Sequence, residues 1–222
     1  MTDATITAQD PDEPFDVLSA DGALTGTVKP RAAVHRDGDW HRALHVWIAG
    51  RDDDGEPFLM FQRRSAAKDS WPDRFDTTVG GHFRAGETLQ SSLREIEEEI
   101  GLDPTGLSLL SLGTRISITE APPLCDHELQ EVFLILDDRP LADYRPHPVE
   151  LSALARFPLC DLLAFFAGEI AEVGGTAVVP GSAVPFSVTA SLEDFIPSVD
   201  RYGLRIAIAA RNVLRGDRYV AL

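Results

Sequence analysis

The chain predicts an α+β protein, an α/β/α sandwich with a helical segment at its C-terminal end, and three observations lead there. Apolar runs of strand character recur at 43–49, 57–63 and 131–136, bounded by turn or polar residues. A strongly amphipathic helical period, 89–100, lies between such strands. Two further segments, 157–170 and 203–214, carry helical spacing near the C-terminal end. Strands flanking a helix, among several short antiparallel pairs, are the pattern of helices laid on a sheet.

Taken in order, residues 1 to about 14 (MTDATITAQDPDEP) are polar and acidic and read as a disordered tail. Phe15 to Ser19 and Leu24 to Val28 flank Ala20-Asp21-Gly22, a hairpin turn. Ala43 to Ala49 (ALHVWIA) is a strand, and Arg51 to Glu56 turns the chain into a second, Pro57 to Arg63. Phe75 to Val79 leads to the amphipathic helix, and Leu107 to Ile118 follows it. A loop through Pro122-Pro123 precedes a strand at Glu131 to Leu136. Phe157 to Ile170 reads as a helix because Leu159, Leu162, Leu163 and Phe166 share one face. Gly174 to Ser187 is rich in Gly, Val and Pro and reads as loop or short strand. Ser191 to Asp194 opens a helical segment, and Gly203 to Leu214 is the last helix, with Gly216 past its end. The layout is therefore a tail (1–14), a main domain (15–157) and an extension (158–222) packed on that domain, with homodimerisation as an alternative role for the extension.

A net charge of −16, with no compensating basic patch, argues against nucleic acid and against anionic membranes. It also means that a polyanionic ligand would need metal ions and locally placed arginines. The start of the chain lacks the basic and apolar regions of a signal peptide, and no run reaches the ~18 apolar residues of a membrane span, so a cytoplasmic protein is expected. Cys125 and Cys160 have no CxxC spacing and suggest no disulfide framework.

The helix at 89–100 carries the chemistry. Leu89, Leu93, Ile96 and Ile100 form its apolar stripe, while Glu95, Glu98 and Glu99, at i, i+3 and i+4, are expected to cluster on the roughly opposite face. Thr88 is the expected N-cap and Gly101 the left-handed C-terminal residue. Acidic side chains in the last turn oppose the helix dipole and one another, and Arg94 offsets only part of this. A hard divalent cation, which takes oxygen ligands, would resolve the conflict, with Glu87 able to add a carboxylate from the preceding loop. A solvated acidic face in an acidic protein is the alternative.

The stretch Gly81 to Leu102 resembles the Nudix box: Gly, five residues, Glu, seven residues, then Arg-Glu-aliphatic-x-Glu-Glu-x-Gly-aliphatic. Gly81, Glu87 and every fixed position from Arg94 to Leu102 match, but six residues rather than seven separate Glu87 from Arg94. The resemblance implies a Nudix α/β/α sandwich with a mixed sheet and a hydrolase that uses Mg²⁺ or Mn²⁺ on a small-molecule diphosphate.

The stretch from about Phe15 to Leu136 is also similar to one branch of that superfamily, isopentenyl-diphosphate isomerase and its hydrolase relatives. Thr25-Gly26-Thr27, His35 and His41, Gln62-Arg63-Arg64, Lys68, Trp71-Pro72, Gly81-His82 and Asp126-His127-Glu128 carry the similarity. It implies a divalent-metal site that includes His35, His41, His82 and Glu128, and diphosphate contacts from Arg64 and Lys68. A hydrogen-bonded structural histidine is the alternative reading at each of these positions. Arg63 is a further candidate for the substrate, although adjacent strand residues face opposite ways. Trp71 is either a core residue or a stacking platform. The isomerase needs a cysteine just before the Gly-His pair, and Gly80 stands there. Carbon protonation therefore lacks its partner, and hydrolysis of a nucleoside diphosphate-like or other X-linked diphosphate is the expected activity. Glu95 and Glu98 are its candidate catalytic residues, and Glu95, Glu98, Glu99, Glu87 and His82 its candidate metal ligands. The alternatives are an isomerase and a non-catalytic nucleotide-sensing domain.

Overall fold

The computed structural model describes residues 9–121 and 124–222. The tail expected at residues 1–8 and the loop expected at Pro122-Pro123 lie outside the described residues. In chain order the elements are β1 (Pro14–Leu18), β2 (Leu24–Pro30), α1 (Arg31–Asp37), β3 (Trp40–Arg51), β4 (Pro57–Arg64), β5 (Phe75–Asp76), β6 (Val79–His82), α2 (Leu89–Ser92) and α3 (Arg94–Ile100). They continue through β7 (Leu110–Ala121), β8 (Leu124–Leu136), β9 (Leu151–Pro158), α4 (Leu159–Ala167), β10 (Glu172–Val178), β11 (Phe186–Ser191) and α5 (Tyr202–Leu214).

The sheet is organised around β3. On one side β3 pairs antiparallel with β6 (Ala43 opposite His82) and, further along, with β4 (Ala49 opposite Leu59). On its other side it runs parallel to β8 from Trp40 to Ala49, which makes the sheet mixed. Alternation along β3 and β4 sends side chains to two cores. Leu44, Val46, Ile48, Phe58 and Met60 pack with Leu93, Ile96 and Ile100 of the α2–α3 segment. Trp47, Ala49, Leu59 and Phe61 pack with Leu162 and Phe165 of α4 and with Ile206 and Ala210 of α5. Helices therefore cover both faces, and the fold is an α/β/α sandwich. Because both faces are covered, the middle of β3 is an unbroken apolar run rather than an alternating one.

Four features differ from expectation. Residues 9–14 are not a loose tail: the Glu13 carbonyl accepts the Arg31 N–H at 2.8 Å, and Pro14 opens β1. α1 was not signalled; Pro30 (φ −66°) sets its start and Gly38, left-handed at φ 69°, ends it. Phe157 lies in a strand opposite Leu59, so α4 begins only at Leu159, after Pro158. The Leu- and Ala-rich sequence of β9 (LSALARFP) hides its period-2 burial because it lacks β-branched residues. Lastly, residues 158–222 are not purely helical: β10 pairs with β9, and β11 with β10, so the sheet runs through residue 157. Among the described residues no helix is long and apolar enough to cross a membrane.

Candidate active site

The carboxylates come from one helical segment held at both ends. Thr88 caps it, its side chain accepting the Ser91 N–H while Ser91 returns a bond to the Thr88 N–H. The segment bends at Leu93 (ψ −9°), which divides α2 from α3, and Gly101 (φ 68°) closes α3. Ile96 and Ile100 are fully buried under the sheet. At 3.6 residues per turn Glu99 lies only about 60° from Ile96, so burying Ile96 also buries Glu99.

The structure corrects the expectation that Glu95, Glu98 and Glu99 share one face opposite the apolar stripe. Glu99 is fully buried, and its Oε2 accepts the Gly80 N–H at 3.0 Å and the Gln62 amide at 3.2 Å. Its Oε1 has no hydrogen-bond partner, and the Lys68 ammonium stands 3.8 Å away. Glu95, one turn earlier, meets Arg94 at 2.7 Å and is packed so closely on Gly81 that a Cβ there would lie 2.5 Å from Glu95 Cγ. Burial pushes the Glu95 carboxyl up to about 7, with Arg94 opposing the rise, and raises Glu99 as well, with Lys68 opposing. Glu98 instead faces solvent, its side chain 48% exposed. Two carboxylates one turn apart, both desolvated and one with an orphaned oxygen, fit a hard cation better than solvent.

Other expected residues take different places. Lys68 is buried between Glu150 (2.9 Å) and Glu99 and does not face the cavity described below. Arg63 donates to the Asp73 carbonyl and lies over the Phe75 ring, also away from the cavity. Glu87 holds the loop before α2, accepting the Arg84 N–H at 2.8 Å, with Arg94 at 3.6 Å. Arg64 does reach the cavity. Its guanidinium donates to the Ser70 carbonyl and hydroxyl and to Asp76, three of its five hydrogens.

His82 belongs to a second group, because alternation along β6 turns it away from the side on which Gly81 meets Glu95. It lies between Arg31 (Nδ1, 3.0 Å) and Glu128 (Nε2, 3.0 Å). His35 from α1 and His41 from β3 approach each other at 3.4 Å, and His41 is 3.5 Å from Asp126 and 4.0 Å from Glu128. Phe15 stacks on His41 and His82 and shields them. Burial lowers all three imidazoles, His35 to about 4, so they are neutral, the ligating form. Asp126 Oδ1 is buried without a hydrogen-bond partner. His35, His41 and His82 together, and His41, Asp126 and Glu128 together, could each hold a metal ion. Sequence reasoning missed Arg31, whose only signal is its place after Pro30, and gave Asp126 no role.

A cavity of about 460 Å³ opens on the His82 side, an ordinary size for a small-molecule site. Arg31, Arg64, His82, Asp126 and Glu128 line one part of it, and the rest mixes aromatic and aliphatic side chains with polar ones such as Arg115, Gln130 and Arg201. Gly80 and Gly81 also line it and back directly onto Glu99 and Glu95, which do not. No cysteine lines it among the described residues.

A mixed sheet between helical layers, with α3 laid against a Gly-Gly strand, is the arrangement of a Nudix-type protein. This chain belongs to the NUDIX domain family, whose model matches residues 41–173. It is 38% identical over 163 residues to Nudix hydrolase 3 of Arabidopsis thaliana, covering 71% of this chain but 21% of that protein, so it spans about a fifth of that relative. It is 30% identical over 139 residues to the isopentenyl-diphosphate Delta-isomerase of Leifsonia xyli subsp. xyli, covering 60% of this chain and 73% of the isomerase. The crystal structure of DR0079 from Deinococcus radiodurans shares the fold, with a TM-score of 0.52 at 23% identity over 70% of this chain and 90% of that one.

Proposed function

We propose that this protein is a metal-dependent hydrolase that cleaves the phosphoanhydride bond of a nucleoside diphosphate-like or other X-linked diphosphate. The observation that carries this is the Glu95–Glu99 pair, desolvated against Gly80 and Gly81 with an oxygen of Glu99 unpartnered. In this reading Glu95 and Glu99 hold Mg²⁺ or Mn²⁺, and Glu98 joins them from the solvent side. When bound, such an ion would supply neutralisation of phosphate oxygens and polarisation of water. Glu95, the less buried of the pair, would orient the attacking water. Lys68 balances the charge of Glu99 and Glu150 rather than binding phosphate. Arg64, with hydrogens to spare, and Arg31 present positive charge to the diphosphate in the cavity.

The convergence of His35, His41, His82, Asp126 and Glu128 favours a second reading, an isomerase. Gly80 in place of the acid, and a cavity without a thiol, weigh against it. A metal-dependent phosphate-release screen tests the first reading. It would run over nucleoside di- and triphosphates, dinucleoside polyphosphates, nucleotide sugars and prenyl diphosphates. We expect release that requires Mg²⁺ or Mn²⁺; no release from any of these compounds would remove the assignment.

A further inference from the structure

Within the Nudix region the cavity is built of groups suited to a diphosphate. Its other wall comes from residues 192–204, beyond the residues 41–173 that the family accounts for. Leu192, Phe195, Ile196 and Leu204 present apolar surface there, beside Arg201, whose guanidinium gives one long bond to the Phe166 carbonyl (3.4 Å), and a group of polar side chains bonded among themselves. Arg115 is held by both oxygens of Asp200 and by Gln130. The Tyr202 hydroxyl is shared with Trp47 and His45.

Trp71 also lines the cavity. Its backbone is left-handed (φ 46°), a genuine outlier for so bulky a residue. Strain of this kind persists only where neighbours hold it. Here Arg64 fixes the loop through the carbonyl and hydroxyl of Ser70, the residue before. Trp40 packs on His127, and Trp47 on Phe61 and Tyr202, whereas the half-buried Trp71 ring has no aromatic or cationic partner among the described residues.

We infer that Trp71 is a stacking platform for the group attached to the diphosphate, in the cavity that residues 192–204 close from the other wall. That group is a flat aromatic ring, recognised by its face rather than its edge. The inference rests on the diphosphate reading for what Arg31 and Arg64 hold in the same cavity. Recognition by stacking tolerates different rings, so discrimination among nucleobases is weak, while a ligand without a ring is rejected.

The test is equilibrium binding of AMP, CMP, UMP and ribose 5-phosphate to the full chain without added metal, by titration calorimetry. The three nucleotides should bind within about tenfold of one another, and ribose 5-phosphate at least about tenfold more weakly. Trp71→Ala should remove the nucleotide advantage and Trp71→Phe should keep most of it, with thermal melts confirming that both variants fold. Equal binding of AMP and ribose 5-phosphate by the wild-type chain, or unchanged AMP affinity in Trp71→Ala, would overturn the inference. Because nothing is hydrolysed, this outcome is independent of the phosphate-release screen. Prenyl diphosphates that compete with AMP for the site as well as CMP and UMP do would likewise overturn it, by showing a merely apolar subsite.

Discussion

Oε2 of Glu99 accepts the backbone N–H of Gly80 at 3.0 Å, which ties the acidic helix to the strand that lines the cavity. The same oxygen takes the Gln62 amide at 3.2 Å, leaving Oε1 free of hydrogen bonds beside Lys68. Glu99 is thus aimed by two donors, with its remaining oxygen available to a ligand. A buried carboxylate that meets only half its capacity is costly unless something else meets the rest.

Glu99→Gln keeps an oxygen for Gly80 and Gln62 but removes the carboxyl group that can ionise against a cation. We expect metal-dependent phosphate release to fall roughly a hundredfold or more while the melting temperature without metal changes little. Titration of Mn²⁺ by electron paramagnetic resonance should show weaker binding. Unchanged turnover and unchanged Mn²⁺ binding together would exclude Glu99 as a ligand.

Gly81 matters for what it lacks. A methyl group on it would sit 2.5 Å from Glu95 Cγ and 2.6 Å from Cδ, nearer than carbon atoms approach without displacement. Gly81→Ala should therefore push Glu95 away from β6 and weaken Mn²⁺ binding by about tenfold or more. The chain should stay folded, since Glu95 and not the backbone would give way. Circular dichroism with the Mn²⁺ titration checks both halves of the expectation.

Much of this arrangement was legible beforehand. The spacing of Ile96 and Ile100 and the caps at Thr88 and Gly101 are local, and α3 was placed from them. The division of labour among the glutamates was not. It depends on which way the helix rolls against β6, and only the packed structure shows Glu99 inside and Glu98 outside. The pairing of Lys68 with Glu150 spans 82 residues and leaves no local trace. The histidine cluster was readable only through resemblance, because α1, β3 and β6 bring its members together from three elements.

Asp200 offers a pH-dependent readout remote from the carboxylates of α3. It accepts hydrogen bonds from Arg115 (2.9 Å to each oxygen) and Arg205 (3.0 Å), and from the Ser198 hydroxyl. The Arg115 bonds, with Ser198 and Arg205, hold its carboxyl well below the usual range. A carboxyl lowered by folding contributes stability that is fully present above its unfolded pKa, about 3.9, and is lost as pH falls through the folded value. Denaturant unfolding of wild type and Asp200→Asn should therefore differ by a constant amount at pH 5–7, with wild type more stable. The gap should narrow progressively below about pH 4. A gap that stays constant to pH 2 would show that the variant acts through packing instead.

The last expectation concerns the reaction the chain should not perform. Isomerisation of a prenyl diphosphate moves a proton to and from carbon, which requires a positioned acid. Gly80 occupies the position where the isomerase places its cysteine, and its space is already taken: a Cβ would lie 2.9 Å from Thr77 Cγ2, and Thr77 is buried. Cys125 packs near Gly38, and Cys160 is exposed beside Asp161, so neither thiol lines the cavity. Wild type incubated with isopentenyl diphosphate in D₂O should yield neither the rearranged isomer nor deuterium at carbon. Gly80→Cys alone should be destabilised by its clash with Thr77. Pairing it with Thr77→Ser, which removes the interfering methyl but keeps the hydroxyl bond to the Val46 carbonyl, should recover stability. Rearrangement by the wild-type chain would mean that a group other than a thiol supplies the proton, and it would replace the hydrolase reading with the isomerase one.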